Sequence, residues 1–302
     1  MIKTYKIKVK SQGRITQLLD SQKIFGALMY LLVKDERVNV TGFVRQVKSD
    51  KKFFMVSNLL PNGYLPTPHG DVKNKVDYQK IKSMKFVPEV LKGTPIIEIK
   101  DYLTIHESQV QQYRLSNEFY EVPGLENELF SVPIIKILKQ GAECKDFCFY
   151  IAFDEADEDS KRLIECLKNI IAEEKAFLFG QRASQGYNTY QAIGIDEEID
   201  LPWENTIYYL NIGMLLPNEI DFKNSQLKLF TSERRPYELD FGQEFKRADN
   251  FISFIEAGSV IETSKFLNSG KCIDSPYKKT NEERIVFGKS FLYPLEKEWK
   301  LS

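Results

Sequence analysis

The stretch FCFYIAFDEADEDSKRLIECLKNIIAEEKAFLFGQRASQGYNTYQAI, residues 147–193, decides the fold. Phe147, Phe149, Ile151 and Phe153 alternate, which is the period of a half-buried strand. Asp154, Glu155, Asp157 and Asp159 follow and suit the positive end of a helix. Leu163, Ile164, Leu167, Ile170 and Ile171 then fall at helical spacing and form one apolar face. After the helix comes FGQRASQGYNTY, residues 179–190, a loop leading into a last strand. Gly180 and Gly186 let its backbone approach a ligand closely. Arg182 and the loop N–H groups can hold a phosphate. Gln181, Ser184 and Gln185 offer neutral hydrogen bonds to phosphate or sugar. Tyr187 has two roles open to it, stacking on a base or filling the core at the start of the strand. The chemistry on offer is the binding of a nucleic-acid backbone rather than bond cleavage.

Working outward, Tyr5, Ile7 and Val9 alternate with Lys6, Lys8 and Lys10, giving a first strand whose lysines suit an outer face or an edge. Asp20 or Ser21 can cap a helix in which Phe25, Leu28, Met29 and Leu32 form the buried stripe; Gly26 suits close helix packing. Residues 52–60 read as a strand, and Pro61, Gly63, Pro66, Pro68 and Gly70 exclude regular structure just beyond it. Residues 71–130, broken by Pro88, Gly93, Pro95, Pro123 and Gly124, read as an insertion in the form of a protruding hairpin. The framework returns at residues 134–138 and 147–193, completing a β-α-β-β-α-β plan. The acidic segment 195–205 reads as a linker, and the strands after it are interrupted by little helix. The expected fold class is therefore α+β: two ferredoxin-like (RRM-like) domains in tandem, at 1–200 and 201–302. The first carries a thumb-like hairpin inserted at about 71–130, and the second is β-rich and degenerate.

Charge is distributed unevenly. The net charge of −1 hides 19 Lys and Arg against 8 Asp and Glu in residues 1–100, and 23 against 35 in the remainder. A basic first third suits an anionic ligand, and an acidic remainder suits protein neighbours. Arg14 and Lys23 flank the first loop and helix, which this fold sets beside the glycine-containing loop, so a shared phosphate site is expected there. Lys82, Lys85, Tyr113 and Arg114 lie in the insertion and offer basic and aromatic side chains for contacts to RNA. The chain shows no apolar run of membrane-spanning length and no signal-peptide block, so a cytoplasmic protein is expected. Cys144, Cys148, Cys166 and Cys272 lack the paired spacing of a zinc site and read as reduced thiols in or near a core. His69 and His106 have no partner at a catalytic spacing, and no phosphate-loop, serine-hydrolase or zinc-protease motif is present.

Four segments, taken in order, resemble one family. DSQKIFGALMYLL (20–32) is similar to its Asp-led FGAL segment, and VSNLLPNGYLPTP (56–68) to its stretch of Asp, Gly and prolines, with Asn58 where the family often has Asp. FGQRASQGYN (179–188) is similar to its glycine-rich loop, with Asn188 where a further glycine is common, and VFGKSFLYP (286–294) to its closing segment. The family is the RAMP-superfamily fourth subunit of type III-A CRISPR (Csm) effectors, in the Cas5 group. The resemblance implies a non-catalytic, cofactor-free RNA-binding subunit of an antiviral ribonucleoprotein. It implies a cap that holds the 5′ repeat-derived tag of the crRNA. It further implies contact with the large polymerase-like subunit and with a backbone RAMP subunit, and with target RNA indirectly. Asn58, matched to the family's second segment, joins the candidate RNA-binding residues on this ground. Two other readings stay open: a Cas6-type RAMP endoribonuclease that processes precursor crRNA, and a double-ferredoxin interaction module with no RNA role.

Overall fold

In a computed structural model, the chain is described at residues 1–69, 75–89, 98–113, 129–178, 185–197, 201–203, 205–233, 251–276 and 284–295. The first half runs β1 (Ile2–Ser11), α1 (Ser21–Leu32), α2 (Val40–Lys48), β2 (Phe54–Val56), β3 (Leu60–Pro61), β4 (Tyr64–Pro66), α3 (Lys75–Ser83) and β5 (Phe86–Pro88). It continues with β6 (Thr104–Tyr113), β7 (Leu129–Lys139), β8 (Ala142–Glu143), β9 (Asp146–Asp154), α4 (Glu158–Ala172), β10 (Ala176–Leu178) and β11 (Thr189–Asp196). The second half holds β12 (Tyr208–Asn211), β13 (Leu229–Glu233), β14 (Phe251–Ile255), β15 (Val260–Glu262), β16 (Ile273–Asp274), β17 (Ile285–Val286) and β18 (Leu292–Pro294). The fold is α+β, with antiparallel sheets and few helices.

The main sheet has the order β10-β11-β1-β9-β2, with β3 also on β9. Ile7 pairs with both Phe149 and Ile195, so β1 is an interior strand. Lys6, Lys8 and Lys10 therefore do not line an edge, as the alternation suggested. Lys6 is buried, 2.7 Å from Glu89 Oε2, and the Tyr150 hydroxyl donates to Glu89 Oε1 at 2.6 Å. Lys8 pairs with Asp196 at 2.7 Å, and Lys10 is exposed. Glu89, which follows β5, thus clips the inserted region onto the non-helical face of the sheet.

On the helical face, Ile24, Phe25, Leu28, Met29 and Leu32 of α1 and Leu163, Ile164 and Leu167 of α4 are buried. Asp20 is the observed N-cap of α1, its side chain accepting from Lys23 N at 2.9 Å. Gly26 is exposed, and among the described residues no neighbouring helix lies within 4 Å of a Cβ there. A further helix, α2, arises from Val40, Phe43, Val44 and Val47 at helical spacing behind an Asn39 cap. Every residue from Phe147 to Phe153 is buried, so β9 is covered on both faces rather than half-exposed. The reason is the second half of the chain: Phe291 and Tyr293 lie 5.3 and 6.3 Å from the Tyr150 ring.

Residues 134–138, expected in the framework sheet, belong instead to the inserted hairpin. There β7 pairs along its length with β6, from Thr104↔Leu138 to Tyr113↔Leu129. The closing segment 286–294 is a joint between the two halves. Phe287 stacks on Phe25 at 4.2 Å, Phe291 N donates to Val56 O, and buried Lys289 pairs with Asp50 at 2.6 Å. All four cysteines are free thiols; Cys148 and Cys272 are buried, and burial pushes the Cys148 thiol up to about 12. Among the described residues, no helix is long and apolar enough to cross a membrane.

Candidate nucleic-acid interface

Three segments meet at the end of β1. Gln12 N donates to Thr189 O, Arg14 forms a parallel bridge with Tyr187, and Asn188 N donates to Arg14 O at 3.0 Å. Asn188 is fully buried and sits at φ 51°, a left-handed backbone that asparagine tolerates better than most residues. Its side chain accepts from Thr16 N at 2.9 Å and donates to Thr16 Oγ1 at 2.7 Å. Gly13 lies so close to the opposite loop that a Cβ there would stand 2.0 Å from the Gly186 carbonyl oxygen. On the other side, Ile135 N donates to Ile15 O at 2.7 Å, tying β7 of the insertion to the same loop. The first loop is thus fixed between the glycine-containing loop and the inserted hairpin.

This arrangement sorts the residues singled out in the sequence. Arg14, Gln185 and Gly186 are exposed at the seam, with Gly186 at φ +79°. Tyr187 is buried against Val132 and Ile134 of β7 and Val110 of β6. Of its two possible roles, the structure selects core packing, and the ring is not offered to a base. Asn58 is also structural: its Oδ1 accepts from Ser21 N at 2.7 Å, and its N–H donates to Ile212 O. Lys23 is half-buried, donating to Gln17 Oε1 at 3.0 Å and lying 3.6 Å from Asp20 Oδ2. Lys82 and Lys85 are exposed on the wall of a separate cavity of about 580 Å³ beside His69. Gly180, Gln181, Arg182, Ser184 and Arg114 lie outside the described residues.

The histidines stand apart. The His69 backbone N–H donates to Gly258 O, and burial, with Lys228 nearby, holds the imidazole below the ordinary 6.5. His106 is exposed on β6, opposite Lys136. Among the described residues, no cluster of His, Cys, Asp or Glu could hold a metal ion.

Sequence reasoning missed two residues of the second half. Lys228 and Phe230 face Lys23, Asp20 and Asn58 across cavities between the two halves. Nothing in the local pattern of β13 separates Phe230 from a core aromatic, so only the topology reveals it.

The fold is that of chains found in CRISPR effector assemblies. In particular, the chain superposes on chains of type III-A assemblies that have Csm4 as their common component. One is in a Csm1-Csm4 cassette in complex with cA4 (TM-score 0.58, 14% identity, 97% of this chain and 98% of that one). Another is in the Csm3-Csm4 subcomplex of the type III-A CRISPR-Cas interference complex (TM-score 0.58, 16% identity, 97% and 99%). A third is in a Csm1-Csm4 cassette in complex with AMPPNP (TM-score 0.55, 16% identity, 97% and 98%). At these identities the likeness is one of fold. No family model matches the sequence, and no curated protein matches it.

Proposed function

We propose that this chain is the Csm4-type subunit of a type III-A CRISPR effector, a non-catalytic protein that holds the 5′ repeat-derived tag of the crRNA. In this role it links the large polymerase-like subunit to the first backbone subunit. The observation that carries the reading is the seam at Gly13 and Gly186, where Arg14 and the glycine-containing loop are bonded into one exposed rim. An exposed arginine on a rim held in place by backbone bonds suits a phosphate. The fold likeness, which spans nearly the whole chain and the whole of each relative, supports the same reading. Two tandem ferredoxin-like domains, 1–200 and 201–302, account for the β11-β1-β9-β2 order and for the β-rich second half. The β6–β7 hairpin, fixed to the seam through Ile15 and Ile135, is the thumb that reaches between guide and target.

The test is Arg182→Glu in the assembled complex. Affinity for tagged guide RNA should fall, and the slope of log K against log salt should flatten by about 0.7 for one lost single-strand phosphate contact. Unchanged affinity and slope would remove Arg182 from the site. The nuclease alternative is weakened by the settings of the two histidines, one with its backbone N–H bonded to Gly258 and the other exposed on β6. Alanine at His69 or His106 should leave guide processing as it is in the wild type.

A further inference from the structure

The geometry points to a second RNA-contacting surface, a groove between the two halves of the chain in which Phe230 is a stacking platform for an unpaired base. The inference rests on the RNA-binding reading above and extends it to residues of the second half. A cavity of about 350 Å³ lies between Gln17, Asp20 and Lys23 on one wall and Met214, Phe230 and Phe254 on the other. It shares Leu18, Asp20, Asn58 and Glu256 with the 580 Å³ cavity that carries Lys82, Lys85 and Lys228, so the two adjoin along one groove. The groove begins at Gln17, three residues beyond the exposed Arg14 of the seam.

Its chemistry fits a single strand. Four lysines line it: Lys228 pairs with Glu256 at 2.9 Å and Lys23 lies 3.6 Å from Asp20, while Lys82 and Lys85 are exposed on the wall. In β13 and β14, Phe230 pairs directly with Phe254, so both rings share the face turned to the groove. Phe254 is fully buried and serves as the floor, whereas Phe230 is 45% exposed. A half-exposed ring inside a lysine-lined groove is the combination by which single strands are held, with charge along the backbone and stacking on a π-face. An apolar protein segment would leave Lys82 and Lys85 without counterparts in the groove. The wall also contains Thr67 Oγ1 and His69 Nε2, buried polar atoms with no hydrogen-bond partner among the described residues. Such orphans are uncommon in a finished core.

The experiment uses the full chain and single-stranded RNA of roughly ten nucleotides, within the usual site size, carrying 2-aminopurine at successive positions. With the wild type, one position is quenched on binding. Phe230→Ala loses that quenching and binds about 5- to 150-fold more weakly, the range for one lost base–aromatic stack. Phe230→Trp keeps both. Leu229→Ala, at a 67% exposed neighbour in the same strand but outside the groove, changes neither. Wild-type quenching and affinity in Phe230→Ala, alongside weakened binding in Arg14→Glu, would overturn the groove while leaving the RNA reading intact. An equal loss in Leu229→Ala would trace the effect to hairpin packing and overturn it too. A wild-type chain that binds no such RNA would overturn both.

Discussion

Replacing Gly13 with alanine should pull apart the seam on which the proposed RNA site depends. The added Cβ would stand 2.0 Å from the Gly186 carbonyl oxygen and 2.9 Å from Thr189 Oγ1. The threonine can rotate, but the carbonyl is backbone, so the two loops must part by about 1 Å to reach even a 3.0 Å contact. Overpacking of this kind costs about 1–3 kcal/mol. Parting the loops also strains the bonds from Asn188 N to Arg14 O and between Asn188 and Thr16, each contributing about 1 kcal/mol net. The expected loss is about 2–4 kcal/mol. At about 2–4 °C for each kcal/mol, Tm falls on the order of 10 °C. Guide RNA affinity should fall with it, since Arg14 and Gly186 move apart. Gly26→Ala is the matched control: a Cβ there meets nothing within 4 Å among the described residues, and the helix should gain about 0.8–1 kcal/mol. Urea denaturation of both variants, with RNA binding measured on the same preparations, makes the comparison. A Gly13→Ala protein as stable as the wild type, with unchanged RNA affinity, would refute the reasoning.

Two further outcomes concern other parts of the fold. Glu89→Ala leaves Lys6 charged and buried, so unfolding free energy should drop by about 3–5 kcal/mol; the double variant Lys6→Met, Glu89→Leu should recover most of it in the same denaturant titration. His69 is held below its ordinary 6.5 by burial, so the unfolded chain binds the extra proton first. Its contribution is complete above pH 6.5 and is lost as pH falls through the lower folded value. His69→Gln should therefore flatten the decline in Tm as pH falls below 6.5, as followed by thermal melts.

Much of the framework was legible because its apolar residues keep strict periods. β1, α1, β9, α4 and β11 all follow from alternation or helical spacing, and most strands of the second half from short β-rich runs. α2 was equally legible from Asn39, Val40, Phe43, Val44 and Val47, but the run is short and follows charged residues. What periodicity cannot supply is the partner on a strand's second face. The lysines of β1 looked like edge decoration until Glu89 arrived on Lys6 from a segment 83 residues away. β9 looked half-buried until Phe291 and Tyr293 covered Tyr150. The same gap governs the candidate site. The proximity of Arg14 to the glycine-containing loop followed from the plan of the fold, whereas the burial of Tyr187 required knowing that the inserted hairpin folds back over it. Asn58 matched a family segment, yet its side chain is occupied in holding the start of α1.

The central claim is that this chain carries a guide RNA by its 5′ tag, and the most direct measurement is to isolate it from its native host at low salt and sequence whatever RNA accompanies it. The account predicts small RNAs that share one repeat-derived 5′ end, recovered together with a polymerase-like subunit and a backbone subunit. RNA-free protein, or RNAs of unrelated 5′ sequence, would contradict it.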